Sequence, residues 1–185
     1  MRVGVLALQG AVREHLRAVR QLGAIGIEVR LPEHLAGLDA MILPGGESTA
    51  MRRLLDKAEL LLPLREFVLQ KPTLGTCAGA ILLARRIEPA YEEPVLGALD
   101  VTVERNAYGS QLDSFTCKAE VAGVPDFPLV FIRAPRFSKL GASVSVVATC
   151  REQIVGVRAG HIWALSFHPE LTEDLRLHEM FLRSE

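Results

Sequence analysis

The sequence predicts an α/β fold, a three-layer sandwich around a central mixed, mainly parallel sheet. Three observations carry that expectation. Short apolar runs alternate with stretches of helical period through the first half. Strand-length runs joined by turns fill the second half. Hydrophobic residues make up 49% of 185 residues, enough to bury a sizeable core. Since an ordinary domain has roughly 150 residues, a single domain spanning 1–185 is expected.

Residues 3–8 read as the first strand, and Val12, Leu16, Val19 and Leu22 then recur at near-helical spacing up to Gly23. Residues 27–31 and 41–43 give two more strands, the second ending in Pro44-Gly45-Gly46. A helix opens near Ser48, with Met51, Leu54 and Leu55 as its buried face and Ser48 as its N-cap. Residues 73–76 form a short strand and residues 78–86 a helix. Buried strands joined by helices imply parallel pairing with both faces covered. Residues 87–94 read as a polar surface connection. Strands are expected at 99–104, 115–121, 129–132, 143–149, 154–157 and 162–167, paired antiparallel, before a final helix over 172–182.

Composition excludes several classes of function. Lys+Arg 21 against Asp+Glu 22 leaves a net charge of -1, so there is no basic field for nucleic acid. The apolar run at 3–8 is too short for a signal peptide, and no stretch approaches the ~18 apolar residues of a membrane span. Cys77, Cys117 and Cys150 show no CxxC spacing, so neither a disulfide framework nor a metal site is expected. A reducing cytoplasm suits such a chain.

Chemistry concentrates at Gly75-Thr76-Cys77-Ala78-Gly79, a cysteine between strand and helix with glycines two residues away on each side. This is the nucleophile-elbow pattern with Cys in place of Ser. The following helix N-terminus and a nearby imidazolium are the features that favour a thiolate. Cys117 and Cys150 lack that setting and read as structural. Ser166-Phe167-His168-Pro169-Glu170 supplies a base and a carboxylate, two side chains on one side of an extended segment, with Pro169 restricting the backbone. The same tripeptide also reads as a helix start. His15, His34, His161 and His178 read as surface or capping residues. The glycine amides of Pro44-Gly45-Gly46-Glu47-Ser48-Thr49 gather at the same crevice edge, where Gly46 N–H and Ala78 N–H make a donor pair for an oxyanion. No P-loop lysine or GxGxxG spacing accompanies them, which argues against a nucleotide cradle.

These segments converge on a family. With Gln9-Gly10-Ala11-Val12-Arg13-Glu14-His15, Val103-Glu104-Arg105-Asn106, Asp113-Ser114-Phe115 and Phe131-Ile132-Arg133-Ala134-Pro135, the chain resembles the class I (triad) glutamine amidotransferases, and within them the glutaminase subunits of pyridoxal 5'-phosphate synthases. The elbow and the His-Pro-Glu segment belong to the whole class. The residue 9–15 and Glu104-Arg105-Asn106 segments belong to the vitamin B6 branch, and Arg136-Phe137-Ser138-Lys139 matches less clearly. The resemblance implies a flavodoxin-like fold and hydrolysis of L-glutamine by Cys77, His168 and Glu170, with Gly46 and Ala78 as the oxyanion hole. It assigns glutamine binding to Gly46, Glu47, Ser48, Arg105, Ile132 and Arg133. It implies no cofactor and no metal.

The implied partner is the (β/α)8-barrel synthase subunit, in a large heteromeric complex that receives the ammonia. Gln9-Gly10 then lies at the docking face, and docking reorients the Gly45-Gly46 peptide to complete the oxyanion hole. Three rival readings stand beside this one: a glutaminase for another synthase, such as imidazole glycerol phosphate synthase; a non-catalytic regulatory subunit of the same fold; and a cysteine peptidase.

Overall fold

The computed structural model describes residues 1–88, 96–105 and 114–184. The chain runs β1 (Arg2–Leu6), α1 (Val12–Gln21), β2 (Ile25–Val29), β3 (Ala40–Leu43), α2 (Ser48–Lys57), α3 (Leu61–Gln70), β4 (Thr73–Thr76), α4 (Ala78–Leu83) and β5 (Ala84–Glu88). It continues through β6 (Leu99–Glu104), β7 (Phe115–Val121), β8 (Val124–Phe131), β9 (Arg136–Ser138), β10 (Ser145–Cys150), β11 (Gln153–Ala159) and β12 (Ile162–Leu165) to α5 (Arg176–Arg183). Most of the surface connection expected over 87–94 lies outside the described residues, as do Asn106 and Asp113.

The main sheet has the order β2-β1-β3-β4-β12-β11-β10-β7-β8. Its first half, from β2 to β12, is parallel, and its second half is antiparallel. One expectation needs correcting here. Residues 162–165 were expected to pair antiparallel, yet β12 runs parallel to β4 and antiparallel only to β11, so it joins the two halves. A smaller sheet, β5-β6-β9, packs beside the main one.

Alternation along the strands builds the layers. Ala40 and Ile42 of β3 point into one core with Leu16 and Val19 of α1 and Leu177 and Phe181 of α5. Met41 and Leu43 point into the other with Met51 and Leu55 of α2 and Leu64 and Val68 of α3. Each of these buried Leu, Ile, Val, Met and Phe side chains stabilises the fold by ~1.5–3 kcal/mol relative to its exposed state.

Several elements depart from the sequence reading, among them β8, which begins at Val124 and not near 129, and α5, which begins at Arg176 and not near 172. The helix expected over 78–86 stops at Leu83, because residues from Ala84 on pair with β6. Arg86 locks that pairing through Thr102 and Asp100. Helix α3 is legible only afterwards: its apolar residues surround it, with Leu64 and Val68 buried while Leu62 and Leu69 are 67% and 55% exposed, so no single face stands out. The three residues of β9 contain no apolar run to reveal them.

The parallel strands deliver their carboxyl ends to one edge, which gathers residues 7–11, 44–47, 77 and 166–170. The turn at Cys77 is made possible by two close approaches. A Cβ on Gly79 would overlap the carbonyl of Leu43, and one on Gly75 would lie 2.7 Å from the carbonyl carbon of Gly79. Backbone atoms cannot swing aside as a side-chain tip can. Gly79→Ala should therefore destabilise the chain by ~1–3 kcal/mol, read as a lower midpoint in urea unfolding.

Candidate active site

Cys77 sits between β4 and α4 with φ 47° and ψ -103°, a backbone conformation that side chains larger than hydrogen rarely adopt. Strain of this kind costs on the order of 1–3 kcal/mol and is held by the surroundings. Here the Cys77 N–H donates to Leu165 O at 2.8 Å, and its carbonyl accepts from Ile81 N–H at 3.2 Å. Both bonds fix the turn from β12 and α4. Cys77 is only 7% exposed, and its sulfur lies 3.8 Å from the carbonyl oxygen of Ile132.

His168 is anchored by its own N–H to Val130 O of β8 at 2.9 Å. Its Nδ1 lies 2.7 Å from Glu170 Oε1. An ionised carboxylate only accepts, so Nδ1 carries the proton and Nε2 is the atom left for the thiol. Nε2 makes no well-formed hydrogen bond in the resting structure. The thiol nevertheless lies near enough to act on the ring. Burial works against the charged imidazole, but the neighbouring Cys77 and Glu170 outweigh it and raise His168 to about 10. Burial likewise opposes the Glu170 anion, and the pull of His15 and the bond from His168 bring its pKa below the ordinary value.

Of the two readings of His168-Pro169-Glu170, the structure has the helix start: residues Pro169–Leu171 form a single 3-10 turn with Pro169 in its first position, in place of an extended segment. The fixed φ of proline suits that start, and the turn folds Glu170 back against the ring.

A cleft of about 590 Å³ opens over these residues. Gly46, Glu47, Ser48, Arg105, Ile132 and Arg133 line it together with Cys77 and His168. Glu170 lies behind His168, and Ala78 is buried beneath the elbow as the first residue of α4. Ala11, Ile81 and Leu171 also line the cleft without having been singled out, alongside Gln9 and Gly10. A separate hollow of about 450 Å³ along α5 is lined by Arg176, Glu179, Met180, Arg183 and Ser184 and contains no cysteine or histidine.

The 44–47 turn is held from the segment between β1 and α1. Gly45 O accepts from Ala11 N–H at 3.0 Å, and Gln9 Oε1 accepts from Glu47 N–H at 2.8 Å. Glu47, not Ser48, is the N-cap of α2: its longer side chain reaches the amides of Thr49 and Ala50 at 3.0 and 2.7 Å. Burial opposes its charge, but those amides, with Arg105 nearby, hold its carboxyl below the usual range. Gly45 also lies against His168 and Cys77, since a Cβ there would overlap the His168 ring and lie 3.5 Å from Cys77 Cβ.

The other cysteines are placed differently. Burial and the neighbouring Cys150 push the Cys117 thiol up to about 12, which makes it a poor nucleophile. His34 and His161 are half-buried and bond backbone groups. His15 and His178, read as surface or capping residues, are in fact buried. His15 Nδ1 lies 3.0 Å from His178 Nε2, and His15 Nε2 lies 3.4 Å from Glu170 Oε2. The signal was present: Val12, His15, Leu16 and Val19 fall at i, i+3, i+4 and i+7, one face of α1.

These groups set the pH dependence of stability. Burial, then His15, lowers His178 from 6.5 to about 3. Between those values the unfolded chain takes up a proton that the folded chain refuses, so stability falls as pH drops below 6.5. His168 acts oppositely: its contribution is fully present below 6.5 and is lost as pH rises through about 10. Each histidine contributes a slope of at most ~1.4 kcal/mol per pH unit. The melting temperature should therefore peak near pH ~6.5. A melting temperature that rises on acidification to pH ~5 would contradict this placement of His178.

Comparison with known proteins follows the same lines. The chain is 53% identical to the pyridoxal 5'-phosphate synthase subunit PdxT of Geobacillus kaustophilus, over 98% of this chain and 93% of that one. It is also 53% identical to the subunit of the same name from Deinococcus radiodurans, over 98% of this chain and 96% of that one. A crystal structure of a glutamine amidotransferase superimposes with a TM-score of 0.92 at 50% identity, covering 97% of this chain and 96% of that one. The structure of PurLQS from Thermotoga maritima, at 19% identity and a TM-score of 0.65, shares the fold, covering 99% of this chain and 95% of that one. Among the described residues no helix is long and apolar enough to cross a membrane. The family match extends over residues 5–185, and the chain belongs to the SNO glutamine amidotransferase family.

Proposed function

We propose that this chain hydrolyses L-glutamine to L-glutamate and ammonia and passes the ammonia to the (β/α)8-barrel subunit of a pyridoxal 5'-phosphate synthase. The observation that carries the reading is His168, clamped by Glu170 at 2.7 Å on the wall of the cleft that holds Cys77.

In this mechanism the Cys77 thiolate attacks the side-chain amide carbon while His168 holds the thiol proton. His168 gives that proton to the departing nitrogen, which leaves as ammonia and not as an amide anion. Water then attacks the thioester, giving up a proton to His168 as the C–S bond breaks and glutamate forms. Gly46 N–H and Ala78 N–H stabilise the oxyanion in both steps, a type of contact worth about 3 kcal/mol per donor. Glu170 keeps the ring in its working tautomer. Gly46, Glu47, Ser48, Arg105, Ile132 and Arg133 hold the glutamine, with the arginine forks suited to its α-carboxylate.

Free ammonia at neutral pH is mostly ammonium, which is not a nucleophile, so direct transfer to a synthase has a chemical purpose. Gln9 and Gly10 lie at the cleft, where a docking subunit would meet the ties that hold Gly45 and Glu47. On this reading, docking frees the Gly45-Gly46 peptide to turn its N–H toward the oxyanion, and the reaction takes place in the cytoplasm. The test is co-purification with the candidate barrel subunit, followed by glutamine-dependent pyridoxal phosphate formation with Cys77→Ala as the blank. Full glutaminase turnover by the isolated chain would count against the docking step. Peptide cleavage with glutamine untouched would count against the whole reading.

A further inference from the structure

Behind the catalytic residues lies a second pair of histidines with no place in the mechanism above. His15 is wholly buried and His178 is 1% exposed. His15 Nε2 is 3.2 Å from Thr76 Oγ1, on the residue before the nucleophile, and 3.4 Å from Glu170 Oε2. The second contact is at ion-pair distance and longer than a well-formed hydrogen bond. Among the described residues no set of three such side chains is arranged to hold a metal ion, so the cluster is a hydrogen-bond network.

The acceptors fix the protons. Glu170 is ionised and cannot donate, and Thr76 Oγ1 can accept, so a proton on His15 Nε2 suits both neighbours. His15 Nδ1 is then an acceptor in the neutral ring, and His178 Nε2 donates to it across 3.0 Å. That leaves His178 Nδ1 as a bare lone pair, which is the ring nitrogen without a partner. Burial favours the neutral form of both rings, and in each case it is the largest influence. Each carboxylate oxygen of Glu170 thus faces a different imidazole. Oε1 is bonded to the His168 ring, and Oε2 lies 3.4 Å from His15 Nε2.

We propose that His15 is a positioning residue for the triad: backed by His178, it holds the second oxygen of Glu170 and so fixes the carboxylate plane that aims His168 at Cys77. The inference rests on the glutamine hydrolysis proposed above. Without that hold, the carboxylate can rotate about its terminal bond, and the ring it orients turns with it. Displacement of a catalytic group by ~1 Å costs about 10²-fold in rate.

Two substitutions of similar polarity separate aiming from packing. In His15→Gln the amide nitrogen reaches the place of Nε2 and keeps a donor toward Glu170. In His15→Asn the shorter amide reaches only the place of Nδ1, toward His178. Glutamate release should be measured on the chain with its barrel partner, beside melting temperatures of both variants and the downfield NMR resonance of the His168 Nδ1 proton. The expected result is a kcat for His15→Asn about tenfold or more below that of His15→Gln, an unchanged KM for glutamine, and a moved resonance in His15→Asn alone. Equal kcat values and equal resonances in the two variants would overturn the inference, as would a loss that follows melting temperature without regard to the donor. The resonance is read without turnover. An inactive wild-type chain would therefore sink the glutaminase reading while still deciding whether His15 sets the Glu170–His168 contact.

Discussion

Cys77→Ala should fold, dock and melt close to the wild type while glutamine-driven pyridoxal phosphate formation falls by roughly 10⁴-fold or more. Alanine removes one sulfur atom and keeps a Cβ at the same positive φ, so the turn retains its strain and its bonds to Leu165 and Ile81. What disappears is the atom that forms the thioester. Water held in the same cleft would have to attack an amide directly, with His168 lacking the thiol it is placed to serve. Added ammonium salts should restore synthesis, because the proposed barrel subunit would then receive ammonia without the hydrolysis step. The measurement is product formation with glutamine against product formation with ammonium chloride. Retained glutamine-dependent synthesis in Cys77→Ala, or failure of ammonium to rescue it, would sink the assignment.

Gly45→Ala should be the second most damaging change, although it adds a single methyl group and no charge. The added Cβ would overlap the His168 ring and press toward Cys77 Cβ, so one of the three must move. The ring is the least free to do so without loss. Its backbone is tied to Val130, its Nδ1 to Glu170, and the following residue is proline. A shift of ~1 Å at the base predicts about 10²-fold lower kcat, with overpacking costing ~1–3 kcal/mol of stability. Steady-state kinetics beside thermal melting separates the two effects. Wild-type kcat in a folded Gly45→Ala chain would show that the turn and the ring are not in contact during turnover.

Strand β4 and the elbow were legible in the sequence for a physical reason. A cysteine between two close-packed glycines at a strand-to-helix junction has few other uses, and β4 is bounded by the residues expected of it. Where the sequence fell short, tertiary contact overrode local pattern. Residues 84–86 carry helical propensity but pair with β6, and α3 spreads its apolar residues around the axis. Glu47 rather than Ser48 caps α2, since a longer acidic side chain reaches two amides there. The misplacement of His15 and His178 is the most instructive. Histidine is polar on composition scales, yet two neutral rings can bury one another when each supplies what the other lacks.

Helix α1 connects features that the chain separates widely. Its leading amide, on Ala11, grips the carbonyl of Gly45, while one turn further on His15 braces Glu170. The Gly45 side and the His168 side of the cleft therefore stand on one strut, which begins at the mouth of that cleft. A push at residues 9–11 reaches both at once, so a protein seated there would tune two halves of the machinery through a single lever.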